Sequence, residues 1–168
     1  MYLIIVLDWF TKEIIGYSLS LRSRTNDWLD ALEQAVNNRF QQGIREYMKE
    51  QLFLISDNGC QPTSQRFMMS CSLLGIKQIF TTWCNPKGNS DTERVLRTIK
   101  EDAVWPYDWD NPFELENKLK QWIKEMNPLL GLKPEVSGLW PNLAMASVVL
   151  QYTVLSLLHQ LCQRSRQN

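Results

Sequence analysis

Histidine is almost missing from this chain: His159 is the only one among 168 residues. Cysteine is sparse as well, and Cys60, Cys71, Cys84 and Cys162 include no pair at zinc-finger or redox-motif spacing. Structural zinc and dithiol chemistry both need such clusters, so both are excluded and the four cysteines read as free thiols of a reducing compartment. Net charge is lacking too, since 18 lysines and arginines balance 18 aspartates and glutamates. A dedicated nucleic-acid module is usually basic, so strong autonomous DNA binding is not expected; a core with a local basic strip can still work where another domain supplies affinity. No charged segment precedes the first apolar run, so no signal peptide is expected and the expected compartment is the cytoplasm. Charge disappears entirely between Val136 and Gln163.

What is present suits a packed domain. At 44% hydrophobic with seven tryptophans, the chain has the length and apolar content for one real core. Tyr2 to Asp8 is a continuous β-branched and apolar run, read as a strand buried on both faces, and Ile14 to Leu19 returns as its hairpin partner. From Thr25 the period changes. Trp28, Leu29, Leu32, Ala35, Val36 and Phe40 mark an amphipathic helix, with Thr25 or Asn26 as its cap. Gln41 to Gln51 is a polar link, and Leu52 to Ser56 is a central strand that ends at Asp57.

Ser64 to Leu74 reads as a short helix stopped by Gly75, and Ile76 to Thr81 as a further strand. Pro86, Gly88 and Asn89 make Thr82 to Ser90 a loop. The helix that follows, to about Ala103, places Val95, Leu96, Ile99 and Ala103 on one arc and Glu93, Arg97 and Lys100 on the other. Taken alone, Glu93 and Arg97 would be an ordinary surface pair four residues apart. Asn111-Pro112-Phe113-Glu114 is a helix start, followed by a buried face of Leu115, Leu119, Trp122, Ile123 and Met126.

Two carboxylates now stand out. Asp57 closes a buried strand and Glu93 lies on a helix with thirty-five residues between them, and magnesium sites are assembled from oxygens on separate elements in this way. The string Ile55-Ser56-Asp57-Asn58-Gly59, that gap, the turn Pro86-Lys87-Gly88-Asn89-Ser90 and the run Glu93 to Lys100 together resemble the integrase core of bacterial insertion-sequence transposases, which is similar to that of retroviral integrases. The likeness covers residues 1–127 and leaves 128–168 as a divergent tail.

The resemblance implies a ribonuclease H-like α/β fold, a mixed sheet flanked by helices. It implies DNA as substrate, Mg2+ or Mn2+ as cofactor with no small-molecule cofactor, and transposition by phosphodiester cleavage and strand transfer. Self-association is left open. Asp57 and Glu93 would be catalytic metal ligands, Lys100, Arg97 and Lys87 would contact DNA, and Asn58 and Gly59 would shape the turn. In the family a first catalytic aspartate sits on a strand preceding the hairpin, which here would fall before Met1. The expected sheet therefore lacks its first strand, Tyr2 to Leu7 becomes an exposed apolar edge or loses a neighbour, and activity is reduced or absent.

Alternatives remain at this level. An inactive integrase-like domain could bind DNA or protein through Arg94, Arg97 and Lys100. A nuclease of the same fold could recruit Asp8, although Leu7-Asp8-Trp9-Phe10-Thr11-Lys12 matches the family's turn after its second strand, where the aspartate is a turn former. For the tail, the uncharged run allows a packed or amphipathic helix, an unstructured tail, or less readily a membrane span, because Gln151, Tyr152, Thr153, His159 and Gln160 interrupt it. His159 has no chemical partner in the pattern and reads as packing.

Overall fold

The computed structural model describes residues 1–8, 11–40, 52–81, 90–130 and 149–156. The polar link after Phe40, the loop carrying Lys87, and His159 lie outside the described residues. The chain opens with β1 (Tyr2–Asp8) and β2 (Ile14–Ser20), paired antiparallel. Alternation along β1 divides its side chains between two cores: Ile4 and Val6 enter one, while Leu3, Ile5 and Leu7 enter the other. A strand covered on both faces must be apolar throughout, and β1 from Leu3 to Leu7 has no exposure at all.

Helix α1 (Thr25–Arg39) lies on the Ile4 and Val6 face and buries Trp28, Ala31, Leu32 and Ala35. Its cap differs from the expected Thr25 or Asn26. The capping residue is Arg24, whose backbone N–H donates to Asp27 Oδ2 at 2.7 Å, so an acid at the third helical position completes the first turn. Gly16 lets α1 approach β2: a Cβ there would collide with the Ala31 carbonyl and lie 2.8 Å from the Ala35 nitrogen.

Strand β3 (Leu52–Ser56) leads through a turn to α2 (Gln65–Leu73), capped by the Ser64 hydroxyl, and on to β4 (Ile76–Phe80), parallel to β3. Gly75, at φ 74°, makes the left-handed stop between helix and strand. Phe67 and Cys71 of α2 join the α1 core, where the Phe67 ring meets Trp28 edge-on at 5.9 Å.

The opposite face is built by α3 (Ser90–Ile99), a π-helical turn (Lys100–Val104) and α4 (Pro112–Leu130). Val95, Leu96, Ile99, Ala103, Leu115, Leu119, Trp122 and Ile123 pack there against Leu3, Ile5, Leu7 and Ile14, as their periodicity predicts. Asn111 caps α4 by accepting from the Phe113 and Glu114 N–H groups, and Glu114 accepts in return from the Asn111 side-chain amide at 2.6 Å. Asn127 performs a less visible task. Its side-chain amide accepts from Ile14 N–H at 3.0 Å and donates to Ile14 C=O at 2.8 Å, standing in for a strand neighbour at the start of β2.

One element departs from expectation. Within the tail, Val149–Ser156 is neither helical nor unstructured but a strand, β5. The sheet order is β2-β1-β5-β3-β4, with β5 antiparallel to β1 and parallel to β3. β1 is consequently not the expected exposed edge: its second side is paired with β5. The physical reason is that an unpaired inner strand presents a row of N–H and C=O groups, and Val149, Tyr152, Thr153 and Val154 supply the β-branched and aromatic residues that suit a pleated, two-sided position. Among the described residues no helix is long and apolar enough to cross a membrane.

Candidate active site

Asp57 follows β3, and strand alternation explains where it emerges. Leu52 and Leu54 enter the α1 core while Phe53 and Ile55 occupy the other face, so position 57 falls on the α3 side of the sheet. The turn after it is tied down locally. Gly59 N–H donates to Asp57 Oδ1 at 3.0 Å, and the Asn58 side-chain amide donates to the Thr81 carbonyl at 2.8 Å, fastening the turn to the end of β4. Thr63 Oγ1 adds a bond to the Gly59 carbonyl at 2.7 Å. Asp57 is exposed.

Glu93 stands on the exposed side of α3, opposite the buried Val95, Leu96 and Ile99. Among the described residues it makes no ion pair with Arg97, so the surface-pair reading of these two side chains is not realised. Arg94 and Arg97 are exposed beside it, and Lys100 is half-buried where the helix widens into its π turn. α3 packs against β5, the strand next to β3. The two acids thus lie on elements that both border β5, one through its backbone pairing and the other through packing.

Asp8 belongs elsewhere. It is 1% exposed, its Oδ1 accepts from Thr11 N–H at 3.2 Å, and Arg39 reaches its Oδ2 at 2.7 Å while also meeting Glu13 at 3.3 Å. With Lys12 at φ 62°, this is the turn-former geometry of the β1–β2 hairpin. Asp8 follows Val6 onto the α1 face, whereas Asp57 follows Ile55 onto the other. Asp8 is level with Leu150 and hence with Leu54, while Asp57 falls level with Thr153 when the register is continued. Two strand spacings and three residue rises put the two backbones roughly 14 Å apart. A magnesium ion holds its oxygens at about 2 Å, so Asp8 does not serve the Asp57 site, which removes the nuclease reading built on it.

Two exposed carboxylates are an oxygen-only donor set. Such a set suits a hydrated magnesium ion, which takes one or two carboxylates and keeps several waters. β5, beside Asp57, carries Val-Leu-Gln-Tyr-Thr-Val-Leu-Ser and no acid. Among the described residues no three of histidine, cysteine, aspartate and glutamate gather closely enough to hold a metal. Among the described residues, the donor set suits a single hydrated ion.

Comparison with known proteins places the chain among similar sequences and folds. The integrase core domain model matches residues 1–86. The chain is 29% identical over 127 residues to the putative transposase InsK for insertion sequence element IS150 of Escherichia coli, covering 76% of this chain and 42% of that protein. It is 23% identical over 124 residues to the transposase for insertion sequence element IS904 of Lactococcus lactis, covering 74% and 46%. To the putative transposase for IS986/IS6110 of Mycobacterium tuberculosis it is 25% identical, covering 75% and 45%. The chain therefore spans less than half the length of each of these relatives. Among solved structures, a chain of the simian T-cell lymphotropic virus intasome in complex with PP2A regulatory subunit B56 gamma matches with a TM-score of 0.59 and 21% identity, covering 80% of this chain and 50% of that one. That match bears out the ribonuclease H-like fold.

Proposed function

Because this chain belongs to the integrase core domain family, we propose that it is the catalytic-core portion of an insertion-sequence transposase, binding one divalent cation at Asp57 and Glu93 and meeting DNA along α3. The family acts on DNA and depends on divalent metal. The observation that carries the proposal is an exposed aspartate just past the end of β3 and an exposed glutamate on α3, two elements that both border β5.

Each residue has a distinct task in this reading. Asp57 holds its carboxylate in place through the Gly59 N–H, Asn58 keeps the turn attached to β4, and Glu93 approaches from α3. Arg94, Arg97 and Lys100 offer positive charge to the DNA backbone, with Lys87 assigned the same role from the resemblance. When bound, the cation supplies neutralisation of phosphate charge and stabilisation of a leaving oxygen.

With no acid on β5, the ligand set among the described residues is one carboxylate short of a centre that clamps both the attacking and leaving oxygens. That favours a chain which binds cation and DNA but performs little or no strand transfer, and it brings the catalytic reading close to that of a DNA-binding integrase-like domain. Calorimetric titration of the purified chain with Mg2+ and Mn2+ tests this, with binding expected and Asp57→Asn expected to abolish it. DNA cleavage by the chain that disappears in Asp57→Asn would overturn the reduced-activity part.

A further inference from the structure

The sheet consists of two halves that share no backbone pairing except through β5. β1 bonds to β2 and β5, while β3 bonds to β4 and β5. On the α1 face a single core joins the halves, since Ile4 and Val6 pack with Leu52, Leu54 and Ile76. The α3 face is different. Its core takes residues from β1, β2, α3, the π turn and α4, and among the described residues none from β3 or β4. Glu93 is therefore carried by an element of the first half and Asp57 by an element of the second. On that face β5 is the strand that touches both, packed by α3 and hydrogen-bonded to β3.

The two seams of β5 are unequal. Seven positions pair with β1, from Tyr2–Ser156 to Asp8–Leu150, but only three pair with β3, from Phe53–Val149 to Ile55–Gln151. The short seam ends just before Asp57. Any opening between β3 and β5 displaces Asp57 relative to α3 without disturbing the longer ladder.

We propose that β5 is the positioning element of the candidate site: its docking against β3 sets the spacing of Asp57 from Glu93, and cation binding at this pair is coupled to closure of the β3–β5 seam. The inference rests on the assignment of Asp57 and Glu93 given above. Coupling is reciprocal, so an ion that needs the closed seam must in turn hold it closed.

Hydrogen exchange on the full chain, read by mass spectrometry with and without saturating Mg2+, tests the coupling. In the wild type Mg2+ slows exchange at Val149–Ser156 and Leu52–Ser56 by about fivefold or more, and has no such effect in Asp57→Asn. Gln151→Pro, which removes a ladder donor from β5, lowers Mg2+ affinity by about tenfold although both carboxylates remain. If Gln151→Pro does not fold, the wild-type exchange decides alone.

Mg2+ that binds the wild type calorimetrically but leaves β5 exchange unchanged overturns the coupling and spares the site assignment. Absence of Mg2+ binding to a folded wild type overturns both. A metal-free arm is independent of the assignment: the amides of the short β3–β5 seam exchange together and ahead of the β1–β5 and β1–β2 ladders, and a single common rate for all strands overturns the idea of a separately opening seam.

Discussion

Arg39, in the last turn of α1, closes on Asp8 at the end of β1 with 2.7 Å between guanidinium nitrogen and carboxylate oxygen. The same guanidinium meets Glu13 at 3.3 Å, so one cation fastens the helix to both sides of the hairpin turn. A carboxylate engaged in this way stabilises the fold. Asp8→Asn is expected to lower stability by about 1.5–3 kcal/mol, the range for a hydrogen bond to a charged partner, and to leave Mg2+ affinity unchanged. Urea denaturation paired with calorimetric titration checks this; lost cation binding in a folded variant would restore Asp8 as a ligand.

Asn127 predicts a stability effect from a residue with no charge and no apolar surface to lose. Truncation to alanine strips Ile14 of both a donor and an acceptor in a half-buried position. Asn127→Ala should cost about 1–3 kcal/mol, the penalty for leaving such groups unsatisfied. The cost appears as a lower denaturation midpoint with an unchanged m-value.

Cys71 makes stability depend on alkaline pH. Burial in the α1 core pushes its thiol up from 9.0 to about 12. Between those values the unfolded chain releases this proton and the folded chain keeps it, so this contribution is complete below pH 9.0 and is lost as pH rises toward 12. Cys71→Ala, whatever its own stability, should flatten that part of the pH profile. Alkylation followed by peptide mapping provides a second measurement: exposed Cys60 reacts in the native protein, whereas Cys71 reacts only after unfolding.

Arg97 should influence DNA affinity more through salt than through sequence. Each phosphate contact contributes about 0.9 to the slope of log affinity against log salt. Arg97→Ala is expected to reduce that slope by about one, equally for unrelated duplexes, in fluorescence anisotropy across a salt series. An unchanged slope would remove α3 from the DNA interface.

Most of the scaffold from Tyr2 to Met126 was readable because each element announces itself locally. The uninterrupted apolar run of β1 marks a strand covered on both faces, the spacing of Trp28, Leu32 and Ala35 marks α1, and Asn111-Pro112 marks the start of α4. The candidate site was readable in part. Asp57 and Glu93 stand out by spacing, but their sharing of one sheet face depends on the alternation of β3 and on where α3 packs. Asn127 gave no signal, since a side-chain amide that imitates a strand neighbour has no pattern of its own and meets its partner 113 residues away.

The order and type of the elements up to α4, the two candidate carboxylates and the lack of an acid from Val136 to Gln163 were determined by the sequence itself, because periodicity, capping and residue identity act over a few neighbouring positions. Tertiary structure decided the fate of Val149–Ser156 and of Asp8. An uncharged apolar run packs as readily in a helix as in a strand, and only the empty place between β1 and β3, with unpaired backbone on either side, selects the strand. Asp8 likewise becomes a ligand or a turn former according to the face on which it emerges, and that face is set by where α1 brings Arg39.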